Sequence, residues 1–133
     1  MATDRQAGGE LWGSPKDQPS AVLGNTEMSG ATITGGGKTT LVILGANGMI
    51  VHLELKKGFL QPGHSHPEHE SLGYVLSGRI RMVVGDSERI LSPGESWRHP
   101  VGVHHVTEAL EDSSALEVHV PLRPDILERF GLA

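Results

Sequence analysis

An all-β sandwich or barrel is the fold this sequence predicts, and three observations carry that expectation. Turn signals recur roughly every eight to twelve residues along most of the chain. Glycine makes up 18 of 133 residues, nearly twice the usual share of about 7%, so tight turns are abundant. No stretch before residue 124 has helical periodicity.

Taken in order, residues 1–20 are polar, aperiodic and rich in Gly and Pro, which reads as an extended arm ahead of a single domain at 21–133. Leu11 and Trp12 are the arm's apolar anchors. They are expected to pin it to its own domain, with a crossing to a partner subunit as the alternative. From Ala21 the chain is strand-like, and Thr39 to Leu44 is a β-branched run closed by Gly45-Ala46-Asn47-Gly48, a hairpin signal. Met49 to Leu55 alternates, with Met49, Val51, Leu53 and Leu55 on one face and Ile50, His52 and Glu54 on the other. His52 is therefore expected in solvent or behind a site. Arg79 to Val84 and Arg89 to Leu91 read as strands separated by the Gly85-Asp86 turn, and Ser92-Pro93-Gly94 is the next turn. Val103 to Leu110 and Ala115 to Val120 complete the set around the polar turn 111–114. Asp125 to Phe130 is expected to be one short helix, with Pro124 at its start and Gly131 as its stop.

Composition removes several function classes. The net charge is −5 with no basic run, so nucleic acid and anionic membrane surfaces are not expected partners. No cysteine is present, which excludes disulfides and thiolate metal sites. No apolar run approaches the ~20 residues of a membrane span, and the N-terminus lacks an apolar leader core, so the cytoplasm is the default compartment.

Chemistry concentrates in two segments. In 58–78, Pro62-Gly63 is expected to form the turn launching a strand that carries His64 and His66. Two residues apart on an extended strand, both imidazoles share a face about 6.6 Å apart, so both can lean onto one ion. In 94–105, a turn punctuated by Gly and Pro delivers His105. Three such imidazoles point to one divalent transition metal ion (Fe, Mn, Ni or Zn; Cu also accepts imidazole). Imidazoles ligate only when neutral, so the ion should leave as pH falls through roughly 6. His99 and His104 are expected at the surface, and Trp97 in core or rim packing.

These segments together resemble the two motifs of the cupin family. The first is a glycine, five residues, H-x-H, three or four residues, a glutamate, six residues and a glycine, matched by Gly58, His64, His66 and Gly78. The second is a glycine, five residues, P-x-G, two residues, a histidine, three residues and an asparagine, matched by Gly94, Pro100, Gly102 and His105. The resemblance implies a double-stranded β-helix, the jelly-roll or cupin barrel, assembled as a homodimer. Leu72, Tyr74 and Leu76 are candidates for the sheet-to-sheet contact. Two positions depart from the motifs: Ser71 stands where the fourth ligand usually does, and Ala109 replaces the asparagine. With regular pairing Ser71 faces inward and leaves its place to water or substrate. A one-residue bulge would instead turn Glu70 or His69 inward as the ligand.

Glu117 and His119 alternate with Leu116, Val118 and Val120, so acid and imidazole share one face and can reach the cavity together. The stretch from Met49 to Leu127 is also similar to the small single-domain cupins of uronate metabolism, the KdgF-like proteins. Those read H-S-H-P-H-E-Q-x-x-Y-V-L-x-G and, later, D-V-F-x-P-P-R-x-D. Their pocket acid, aromatic and arginine fall on Glu117, His119 and Arg123. The resemblance implies a metal-dependent enzyme for isomerisation, tautomerisation or elimination on a small carboxylate-bearing hydroxy or keto substrate, sugar-acid-like. Glu117 and His119 would move the proton, while Arg123 and Ser71 would bind substrate. An Fe(II) dioxygenase and a non-catalytic small-molecule-binding module are the alternatives.

Overall fold

The computed structural model describes residues 9–28 and 30–132. Among them, the strands run β1 (Ser20–Val22), β2 (Glu27–Met28), β3 (Ala31–Thr32), β4 (Gly37–Leu44), β5 (Met49–Leu55) and β6 (Leu60–His64). They continue as β7 (Glu70–Ser77), β8 (Ile80–Val84), β9 (Ser87–Leu91), β10 (Ser96–His99), β11 (His105–Ala109) and β12 (Ser113–Val120). One α-helix, α1 (Pro124–Arg129), follows, and a short 3-10 turn at Pro15–Asp17 precedes β1. Pro124 occupies its first turn, where a missing N–H costs nothing.

Two antiparallel sheets form the jelly-roll barrel. The larger has the order β1-β4-β5-β12-β7-β10 and the smaller β6-β11-β8-β9, with β2-β3 as a separate hairpin. Period-2 alternation sends Met49, Val51 and Leu55 of β5, Val75 of β7, Ile80 of β8 and Ala115 of β12 into the space between them. Phe59 and Ile33 close one end of that core.

Two expectations are corrected here. Pro62 and Gly63 lie inside β6 rather than in a turn before it. Proline has no N–H to donate, and the ladder skips there: His105 pairs with His64 but Thr107 with Gln61, one residue out of step. That irregularity re-aims the end of the strand, where His64 sits. Trp12 does not pin the arm: it is 86% exposed, and the segment is held by backbone contacts such as the Gly9 N–H to the Leu44 carbonyl (2.9 Å). Residues 1–8 of the expected arm lie outside the described residues. Among the described residues no helix is long and apolar enough to cross a membrane.

Candidate metal centre

The end of β6 and the start of β11 meet here. His64 and His105 are direct cross-strand partners on β6 and β11. His66 lies two residues past His64, and its carbonyl accepts the Gly102 N–H at 2.8 Å, which ties the first histidine segment to the second. Gly102 has φ +75°, a conformation glycine adopts without strain. Each of the three imidazoles offers a nitrogen within 4.8 Å of those of the other two, and all three side chains are buried.

Hydrogen bonds set the tautomers of two of them. His64 Nδ1 lies 2.8 Å from the Pro62 carbonyl oxygen and His105 Nδ1 lies 3.1 Å from that of Val103. Only an N–H donates to a carbonyl, so Nε2 carries the lone pair in both rings. Burial depresses the basicity of all three, bringing His66 to about 2 and His105 to about 3, with His64 lowered in the same sense. The rings are neutral at physiological pH, as ligands must be. This donor set, three buried imidazoles with one nitrogen each within 4.8 Å of the others, fits a divalent transition ion.

The fourth-ligand alternatives separate cleanly. Register is regular from Glu70 to Val75, with Ser71 opposite His99 on β10 and His119 on β12; the one shift against β12 falls beyond, at Leu76, so no bulge occurs at Glu70. Ser71 therefore points inward, whereas the Glu70 carboxylate turns out to Arg98 at 3.7 Å, away from the three imidazoles. Of the two residues a bulge would have turned inward, His69 is the one buried here, its ring 4.3 Å from that of His66 and its Nε2 without a hydrogen-bond partner.

Two rows of inward side chains run across the large sheet behind this centre. One is His99–Ser71–His119–Met49 and the next is Trp97–Gly73–Glu117–Val51. Gly73 is a gap in the second row: a β-carbon there would lie 2.0 Å from the Trp97 ring. The indole lies in that gap, crosses β7 and donates Nε1–H to Glu117 Oε2 at 3.3 Å. The other carboxylate oxygen, Oε1, is 3.3 Å from His119 Nε2, a close ionic contact that misses hydrogen-bond alignment. His119 Nδ1 lies 3.0 Å from Ser71 Oγ. Burial pushes the Glu117 carboxyl up, but His119, His99 and Arg123 outweigh it and hold the group ionised, well below the usual carboxylate range.

Arg123 is buried, and its Nε and Nη2 fork the Asp125 carboxylate at 3.1 and 2.5 Å. The edge expected to receive a substrate acid is thus engaged within the chain, and an incoming carboxylate would share or exchange with Asp125. The cavity joining all these groups measures about 40 Å³, with room for an ion and a small group but not for a sugar ring unless its walls move.

His99 corrects an expectation. Instead of lying at the surface it is 4% exposed, stacked on His105 with ring centroids 3.6 Å apart and planes 11° off parallel. The cue lay in β10 itself, where Trp97 and His99 alternate with Ser96 and Arg98. His104 is exposed, as expected, and Trp97 is in the core.

A family profile described as a cupin domain matches residues 51–121, more than half of the chain. Among solved structures, an RmlC-like cupin from Shewanella frigidimarina is similar at 20% identity and TM-score 0.76, covering 90% of this chain and 98% of its own. KdgF from Halomonas sp. is similar at 24% identity and TM-score 0.71, covering 87% and 99%. A predicted oxalate decarboxylase from Thermotoga maritima is similar at 16% identity and TM-score 0.70, covering 84% and 100%. Curated proteins contain no match. With both histidine segments inside the matched region, the chain belongs to the cupin domain family.

Proposed function

We propose that this cupin is a metal-dependent enzyme that moves a proton on a small carboxylate-bearing hydroxy or keto compound, by isomerisation, tautomerisation or elimination. The observation that carries the reading is the meeting, at one cavity, of three ligand-competent imidazoles with the connected set Glu117, His119 and Ser71. A bound divalent ion would supply Lewis-acid polarisation of a substrate oxygen. His64, His66 and His105 would hold it.

The chain's own groups would do the proton work. Ionised Glu117 favours a proton on the facing His119 Nε2, which leaves Nδ1 as an acceptor for the Ser71 hydroxyl at 3.0 Å. A proton arriving from substrate at Ser71 Oγ can then be matched by transfer of the Ser71 proton to His119 Nδ1. Glu117 would stabilise the resulting imidazolium. Ser71 is small, so it would leave the usual fourth-ligand place to the guest. Arg123, held in orientation by Asp125, would meet the substrate acid. The cavity favours the small end of the substrate class over an intact uronate.

Deuterium wash-in from D2O, followed by NMR over a panel of hydroxy and keto acids with zinc-, manganese-, iron- or nickel-loaded protein, tests the reading. Glu117→Ala and His119→Ala are each expected to slow exchange about 10²-fold or more. Unchanged rates would remove both from the mechanism. Oxygen uptake by the iron-loaded sample, without exchange, would favour the dioxygenase alternative.

Assembly as a homodimer is the second proposal. Leu72, Tyr74 and Leu76 are 40%, 47% and 41% exposed on the outer face of the large sheet, beside Val120. These side chains form an apolar patch, whereas an antiparallel sheet facing water is usually polar outside. Light scattering should give twice the 14.2 kDa chain mass, and Tyr74→Glu should halve it. A wild-type monomer at micromolar concentration would refute the assembly.

A further inference from the structure

We propose that His99 is a positioning residue of the metal centre, whose flat ring fixes the ring plane of His105 and thereby the direction of its ligating nitrogen. The inference rests on the metal reading above. Two restraints act on His105. Its Nδ1–H to the Val103 carbonyl anchors one edge, but a single hydrogen bond leaves the ring free to swing, because χ2 of histidine is a broad torsion. The second restraint is the His99 face, stacked at 3.6 Å and 11°, which blocks that swing. His64 also touches the His105 ring, edge-on at 4.2 Å and 66°. The hydrogen bond and the stacked face together hold the His105 ring plane, with Nε2 left for the shared centre.

His99 is itself held from three sides. β10 presents it inward opposite Ser71, its Nε2 contacts Met82 Sδ at 3.2 Å, and its Nδ1 faces Glu117 Oε2 at 3.8 Å. The same ring thus contacts a ligand of the ion on its face and approaches the carboxylate of the proton-moving set at its edge. Burial keeps it neutral near pH 7, so it adds no charge against a cation. Orienting neighbours of this kind commonly account for 10–100-fold in metal affinity.

The test compares two replacements of similar bulk in full-length protein. His99→Phe keeps a flat ring over His105, and His99→Leu fills the space without one. Zinc affinity by competition with a chromophoric chelator and the visible spectrum of the cobalt(II) form are the readouts. The expected result is that His99→Phe binds zinc within about 3-fold of wild type, whereas His99→Leu is about 10-fold weaker or more, with a changed cobalt spectrum. Equal affinities in His99→Leu and wild type would overturn the inference, as would equal losses in both variants. Wild-type protein that takes up neither zinc nor cobalt would instead overturn the metal reading itself. Circular dichroism of the metal-free variants confirms that each is folded.

Discussion

Gly73→Ala is expected to cost about 3 kcal/mol of stability and at least 10²-fold in proton-transfer activity. The added carbon would lie 2.0 Å from two atoms of the Trp97 ring. Gly73 sits mid-strand between β10 and β12, paired on both sides, so its backbone cannot yield without breaking two ladders. The indole must leave instead. It is buried in the core, so its removal exposes apolar surface and opens a void, and alanine's smaller unfolded-state entropy repays only about 0.5–1 kcal/mol. Departure of the indole also removes the Nε1–H that holds Glu117 Oε2, freeing the carboxylate to leave His119. Chemical denaturation, near-ultraviolet circular dichroism and the deuterium wash-in assay read the three consequences. The double variant Gly73→Ala/Trp97→Leu separates clash from lost hydrogen bond: it should regain stability but not activity. Stability of Gly73→Ala within about 0.5 kcal/mol of wild type would refute the account.

What was legible in the sequence follows from how local each signal is. His64 and His66 on one face, Pro100 and Gly102 ahead of His105, and the inward parity of Ser71 are fixed by spacing of a few residues, and the structure keeps all of them. The alternation of β5 and β12 is equally local, and it predicts the shared face of Glu117 and His119. His99 and the Trp97–Glu117 contact depend on something else. They arise because β7 lies between β10 and β12 in a register that aligns His99 with Ser71 and His119, and Trp97 with Gly73 and Glu117. No short-range pattern encodes which strands become neighbours: alternation in Ser96–His99 puts His99 on the face of Trp97, and the sheet order decides what that face meets. Trp12 fails for a related reason: an indole on a polar arm predicts burial somewhere, and in the single chain it has no cover. The Arg123–Asp125 fork joins residues only two apart, so it is as local as the other signals.

Acid is expected to destabilise the metal-free protein steeply between pH 7 and 5, and the same barrel interior explains why. Burial, the largest cause in each case, lowers His66 to about 2, His105 to about 3 and both His69 and His99 to about 4, against 6.5 in an unfolded chain. Below pH 6.5 the unfolded chain therefore takes up protons that the native chain refuses, so stability is full above that value and falls as pH drops. Each such histidine contributes a slope of up to about 1.4 kcal/mol per pH unit, and four of them remove several kcal/mol by pH 5, a large part of the 5–15 kcal/mol typical of a domain. Glu117 adds to the same trend at lower pH: its depressed pKa favours the native state above the ordinary carboxylate range, and that contribution is lost as pH falls through it. A bound ion raises the whole curve, because it stabilises only the native, deprotonated site, and between pH 7 and 5 the native imidazoles take up no protons that would expel it. Urea denaturation at pH 7 and pH 5, with chelator and with saturating zinc, separates the two contributions. A chelated protein whose stability is flat across that range would mean that these imidazoles are not buried neutral against one another, and the centre built from them would fall with that result.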